Sequence, residues 1–260
     1  MVFLLRDKFL NTFELLILLV KKELKIRYAY SVLGYTWTLL IPLAFVLTYF
    51  IAFSIVMRIQ MQHYIPFLVA NIFPWFWFVN SLIQATCVYR QNASLVKKVN
   101  ISRWVLPTSI VAKETMHFIF ALPIVIVVMA FGMKTFYWSW LFYVPMMLIL
   151  QFVFISSLAN ILALFHVFIR DIEYLISIAM NVIFFMTPIV YPLSMVPQKY
   201  KIIFFLNPFA SFIVSWNSIW LKGGNGDEHL FFICFVIAFV TCGLSIFTYR
   251  RLSKYVGELI

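Results

Sequence analysis

The chain has 260 residues, of which 64% are hydrophobic, 20% aromatic and only 11% charged. A soluble core of this length has no use for so much apolar surface, and no stretch is polar enough to build a separate soluble domain, so the composition places the chain in a bilayer. The net charge of +11 is dispersed through apolar sequence, which argues against a nucleic-acid-binding patch and leaves the basic residues to report orientation.

Residues 6–28 alternate apolar clusters with basic residues, and residues 1–34 read as an amphipathic helix lying on the cytoplasmic membrane surface. The apolar run "LLILLV" at 15–20 is short and ends in "KKELK" without a small-residue cleavage site, so it does not read as a secretory signal. A helix needs about 20 mostly apolar residues to cross the hydrocarbon core. Six segments approach that length: Tyr35–Val56, Ile65–Val88, a stretch within Val105–Phe131, Leu141–Phe168, Ile172–Tyr191 and Leu230–Phe247. The sequence therefore predicts an all-α membrane protein: a single membrane domain over 1–260, with a six-span core over 35–250 and a tail at 251–260. Between spans five and six, three prolines break "PLSMVPQKYKIIFFLNPFASFIVSWNSIWLKGGNGDEH" into short re-entrant or interfacial helices.

With a cytoplasmic N-terminus, fifteen Lys and Arg fall on the cytoplasmic side of this topology and five on the other. That bias orients both termini to the cytoplasm.

Few polar features are candidates for chemistry, and no catalytic residue or metal site is predicted. No G-x-x-x-x-G-K-[ST] is present, and "GGNG" at 223–226 is followed by two acids, so it reads as a turn and not a phosphate cradle. Cys87, Cys234 and Cys242 lie in apolar stretches at no metal-ligand spacing and read as small buried hydrophobes. "AKETMHF" brings Lys113, Glu114 and His117 into the third span as helical neighbours, which fits a proton relay. The preferred reading is a snorkelling, paired cluster at the cytoplasmic end, because the clean apolar run begins only at Phe118. "FIRDIEYL" places Arg170 and Asp171 at a tight turn between spans four and five. Asp171 or Glu173 as a transferase base is disfavoured, since no Ser, Cys or His nucleophile accompanies them in sequence. The loop "YRQNASLVKKVNISRWVLPTS" reads as a short amphipathic helix for a partner or for lipid headgroups. The run "NIFPWFWFVN" falls roughly 12–20 Å down the second span, and its aromatics spread around the helix. It reads as a packing node bent at Pro74, with at most two rings free to face a ligand.

Taken together, "LKIRYAYSVLGYTWTLLIPL", "FPWFWFVNSL", "VFIRDIEYL", "FFMTPIVYPLSMVP" and "LNPFASFI", in this order, resemble the membrane subunit of ABC-type polysaccharide exporters, the O-antigen permeases called Wzm. Capsule and teichoic-acid permeases are the nearest relatives of that family. The resemblance implies a homodimeric permease of the bacterial inner membrane. It would bind two copies of a separate ATPase subunit, which carries ATP and Mg, and export a lipid-linked polysaccharide. No cofactor is implied for this chain, and any glycan-binding module is expected in the partner. The resemblance also implies periplasmic gate helices over Tyr191–Trp220. ATPase-coupling segments are implied around Lys22, Lys25, Arg27 and Tyr28, and around Lys97, Lys98, Arg103 and Trp104. Its aromatic-lined channel is expected to use Trp37, Tyr49, Phe53, Phe184, Phe185 and Tyr191. The alternative is a proton-coupled flippase built on Lys113, Glu114 and His117.

Overall fold

The computed structural model describes residues 2–28, 31–98, 102–200, 204, 206–224 and 227–260, and the side chains of all these except residues 2–11 and Tyr28. Among them there is no strand. Helix α1 covers Val2–Tyr28 and lies against the third span, with Leu19 and Val20 buried. The first span joins a 3-10 turn at Gly34–Thr36, α2 (Trp37–Tyr49) and a π-helix at Phe50–Val56. There follow α3 (Tyr64–Thr86), the short helices α4 (Val88–Gln91) and α5 (Ala93–Lys98), α6 (Val105–Met133), α7 (Trp140–Phe168) and α8 (Ile172–Phe185). The chain ends in α9 (Pro208–Lys222), α10 (Glu228–Leu252) and α11 (Val256–Leu259).

Among the described residues, five helices are long and apolar enough to cross a membrane, over 34–56, 64–86, 105–133, 140–168 and 228–259. Their starts and ends lie close to those expected, except that the last runs on to Leu259 and not to Phe247. The expected fifth span, Ile172–Tyr191, is corrected in its helical extent. Helix α8 has 14 residues, about 21 Å at 1.5 Å each, against a hydrocarbon core of about 30 Å. Pro188 gives the reason, since it lacks an N–H and turns the residue before it away from helical geometry. The chain then runs non-helically through Thr187–Val190, which is buried. Helix α3 satisfies its carbonyls: Asn71 Nδ2 donates to Ile189 O at 3.1 Å and Tyr64 Oη to Val190 O at 2.7 Å. Irregular backbone persists at membrane depth only where protein groups satisfy it in this way.

The segment after α8 combines short turns with one longer helix. The turns at Leu193–Met195 and Gln198–Tyr200 are short, as expected of interfacial pieces. Helix α9 is an inserted piece, as expected of a re-entrant helix: Phe212, Ile213, Trp216 and Ile219 have no exposed surface. Local sequence starts it sharply. Asn207 caps the helix by accepting from Phe209 N at 3.0 Å, Pro208 occupies the first turn, and Asn207 Nδ2 reaches back to Thr187 Oγ1 at 2.9 Å. Several of its polar side chains find buried partners. Trp216 Nε1 donates to Gln151 Oε1 of α7, Gln151 Nε2 to Pro74 O at 3.2 Å, and Asn217 Nδ2 to Asn71 Oδ1 at 3.2 Å.

The end of α9 is closed at Gly223 and Gly224, where the turn is expected; Asn225 and Gly226 lie outside the described residues. Gly223 adopts φ 74°, its N–H bonds Ile219 O at 3.0 Å, and Gly224 N bonds Ser218 O at 3.1 Å. A Cβ on Gly223 would stand 2.8 Å from the Tyr137 ring. Gly223→Ala is therefore expected to cost about 1–2 kcal/mol through the left-handed backbone alone, with more from displacing the ring. A fall in melting temperature in detergent checks this. Gly243→Ala, with nothing within 4 Å of its added Cβ, should show no fall.

Helix α3 is the centre of the molecule, with 78% of its apolar window buried, whereas the first span has 11% buried. The run "NIFPWFWFVN" is the packing node that its angular spread implied. Phe73, Trp75, Trp77 and Phe78 are all buried. Phe78 meets Phe154, Phe209 and Phe212 edge-on, while Trp77 stacks on Phe118 with centroids 5.1 Å apart. Edge-to-face and stacked pairs of this kind add about 0.5–1.5 kcal/mol each beyond area burial.

Candidate functional site

Two features stand apart from ordinary packing, and both involve the poorly covered first span. One is an aromatic stripe. Trp37, Ile41, Phe45, Tyr49 and Phe53 recur every four residues, so successive members are neighbours in a row that winds gradually around the helix. Tyr49 stacks on Phe184 of α8 at 5.3 Å, Phe45 and Phe53 flank Tyr49 at 6.0 and 6.3 Å, and Phe184 meets Phe185 at 5.1 Å. Phe185 is exposed and Tyr49 half-buried, so the stripe has an open side. Tyr191 donates to Phe185 O and meets Phe204 edge-on. The structure thus brings together Tyr49, Phe53, Phe184, Phe185 and Tyr191 of the expected channel residues. Trp37 stands three turns away along the same stripe. Phe45 and Phe76, 5.1 Å apart, belong to the assembly and were missed by sequence reasoning. The four-residue spacing of the stripe was the available signal for Phe45. The π-helix begins immediately after Tyr49, where a wider turn interrupts the regular ladder.

The other is a cavity of about 250 Å³ around Trp37, lined by Arg27, Phe73, Phe76, Trp77, Asn80, Glu114, His117 and Phe118 among others. One wall is a charged cluster. Glu114 Oε1 accepts from Arg27 Nη1 of α1 and from Gln84 Nε2 of α3 at 3.0 Å. His117 Nδ1 lies 3.1 Å from Glu114 Oε2, and Lys113 Nζ donates to Gln84 Oε1 at 2.6 Å. The expected snorkelling is corrected: Lys113, Glu114 and His117 are all buried. They begin eight residues inside α6, about 12 Å from its start, and α1 and α3 close over them. Pairing, the other half of that expectation, is present. Arg27 and Gln84, contributed from distant sequence, complete it.

The expected coupling segments meet on the face that carries the C-terminal tail. Lys22 Nζ of α1 donates to Asn92 Oδ1, between α4 and α5, at 3.0 Å. Lys25, Lys97 and Lys98 are exposed, Trp104 is 38% exposed, and Arg103 reaches Gly257 of the tail. Arg170 and Asp171 lie exposed in the tight turn before α8, as their spacing implied. The side chain of Tyr28 lies outside the described residues. A further correction falls at this turn. Two potential nucleophiles do accompany Glu173 in space, since Cys87, at the end of α3, and His166, in the last turn of α7, lie beside it.

The comparisons agree with this architecture. The model of the ABC-2 type transporter family matches residues 14–221. The chain is 36% identical over 249 residues to "O-antigen export system permease protein RfbA" of Klebsiella pneumoniae, covering 95% of each chain. It is 34% identical over 211 residues to the protein of the same name in Myxococcus xanthus, covering 80% of each. With a family match across most of its length, relatives aligned nearly end to end and five helices fit to cross a bilayer, the chain belongs to the ABC-2 type transporter family, as a multi-pass membrane permease.

Proposed function

We propose that this chain is the permease subunit of an ATP-driven exporter that moves a lipid-linked, O-antigen-like polysaccharide across the bacterial inner membrane. The observation that carries the reading is the identity to O-antigen export permeases over 95% of both chains. Geometry supports it in three ways. The first span leaves an aromatic face uncovered, which suits a second copy of the chain placed across an aromatic-walled path. The ring faces of Tyr49, Phe45 and Phe185 suit the apolar C–H faces of sugars, which stack on π surfaces without base-specific or sugar-specific hydrogen bonds. The basic, exposed surface around Lys22, Lys25, Lys97 and Lys98 suits a partner that binds ATP and Mg, and it lies on the side that carries the C-terminal tail, the cytoplasmic one in this reading. The buried Lys113–Glu114–His117 cluster then serves as a structural lock and not as a proton relay.

Co-purification tests the reading. The tagged chain is expected to bring down a P-loop ATPase, and ATP is expected to drive glycan export by the reconstituted pair. Lys97→Glu with Lys98→Glu should weaken ATPase association about tenfold or more while leaving membrane insertion intact, because reversing two exposed charges acts on complementarity across an interface. Export without any ATPase would overturn the proposal, and unchanged ATPase binding by the double variant would remove this loop from the interface.

A further inference from the structure

We infer that Cys87, His166 and Glu173 form a binding site for a transition-metal dication, with Zn2+ as the best-suited ion. Their ligand atoms, one from each residue, all lie within 4.8 Å of one another, and His166 Nε2 stands 3.8 Å from Glu173 Oε2. Those separations are close to what neighbouring ligands of a tetrahedral ion require, given metal–ligand distances of about 2.0–2.3 Å.

An independent observation points to a ligand. The His166 ring is 2% exposed, and neither of its nitrogens has a hydrogen-bond partner among the described residues. A buried imidazole in that position forfeits the solvation of two polar atoms, and a metal bound at Nε2 satisfies one of them. The donor set is selective. Thiolate and imidazole favour Zn2+ and its neighbours over Mg2+ or Ca2+, which require oxygen ligands. Glu173 is 48% exposed on its side chain and Cys87 and His166 are buried behind it, so the carboxylate marks the entry path and water is left to fill the fourth position.

Charge is balanced in the bound state. The Cys87 thiol gives up its proton to solvent as the metal–sulfur bond forms, and thiolate plus carboxylate then supply two negative charges against the ion's two. In the fold, such an ion clips three helix ends together: the end of α3, the last turn of α7 and the first turn of α8. It would tie the Ile169–Asp171 turn to the start of α4.

Cobalt(II) titration of the purified full chain, reduced and anaerobic, tests this. A tetrahedral Co2+–thiolate site is expected to give a near-ultraviolet charge-transfer band and visible ligand-field bands that Zn2+ abolishes. Cys87→Ser should lose the charge-transfer band, and Cys242→Ser should keep it. Zn2+ should raise the melting temperature of the parent chain and not that of Cys87→Ser. Glu173→Gln alters an exposed side chain, leaves the fold intact, and is expected to weaken Co2+ binding. A silent titration, a band that survives Cys87→Ser, or an equal Zn2+ shift in both proteins would overturn the site.

Discussion

Glu114→Leu is expected to destabilise the folded chain by about 3–5 kcal/mol, the cost of breaking a buried ion pair by removing one partner. The carboxylate is the common partner of Arg27, Lys113, His117 and Gln84, and it is 2% exposed. Once it is gone, Arg27 can still turn toward water, since a third of its side chain is already exposed. Lys113, with 3% of its side chain exposed, has no such escape and keeps only Gln84. The double variant Glu114→Leu with Lys113→Met is therefore expected to recover much of the loss, because a matched apolar pair removes the uncompensated charge. Melting temperature in detergent and abundance in the membrane check both. This result also separates the structural lock from a proton relay. A relay requires that Glu114→Gln fold with parental stability and fail only in transport, whereas a lock requires that stability fall first. A parental melting temperature for Glu114→Gln would sink the lock.

The second large effect is expected at Trp216. Trp216→Ala should cost about 3–5 kcal/mol, the range for deleting a large aromatic from a packed interior. The indole has no exposed surface, stacks on Trp220 at 6.2 Å and meets Phe118 edge-on at 5.3 Å. Its loss also leaves Gln151 Oε1 without its donor in a site closed to water. Gln151 is bonded in turn to the Pro74 carbonyl, so the change propagates to the centre of α3. The effect on transport should exceed that on insertion, because α9 is held by tertiary contacts and the spans by the bilayer. Thermal stability and glycan export, measured side by side, check this. A variant of parental stability would show that α9 is not anchored through this residue.

Much of the fold was legible in the chain. Span positions followed from apolar length, the turn at Gly223 from its glycines, and the packing role of Phe73–Phe78 from an angular spread that leaves no one-sided stripe. Less of the candidate site was legible. Tyr49, Phe53, Phe184 and Phe185 are expected in a channel by resemblance alone, and it is the stacking of Tyr49 on Phe184 of α8 that brings them together. Phe45 could have been found by its four-residue spacing from Tyr49. Arg27 and Gln84 could not, since nothing local ties them to a glutamate 87 and 30 residues away.

What the sequence by itself determined was residence in a membrane, and where and in which order the long helices run. Those properties depend on the local solvation of the backbone and apolar side chains, which each segment meets independently of the others. Only the tertiary structure decided that Ile172–Phe185 stops short, that Pro208–Lys222 is a core element, and that Cys87, His166 and Glu173 stand together. The physical reason is the same in each case. Inside a bilayer, apolar surface does not distinguish helix from lipid, so close association depends on polar atoms finding partners and on side chains fitting. Asn71 with Ile189, Trp216 with Gln151, and Glu114 with Arg27 are pairings between residues far apart in sequence, and no periodicity in the chain encodes them.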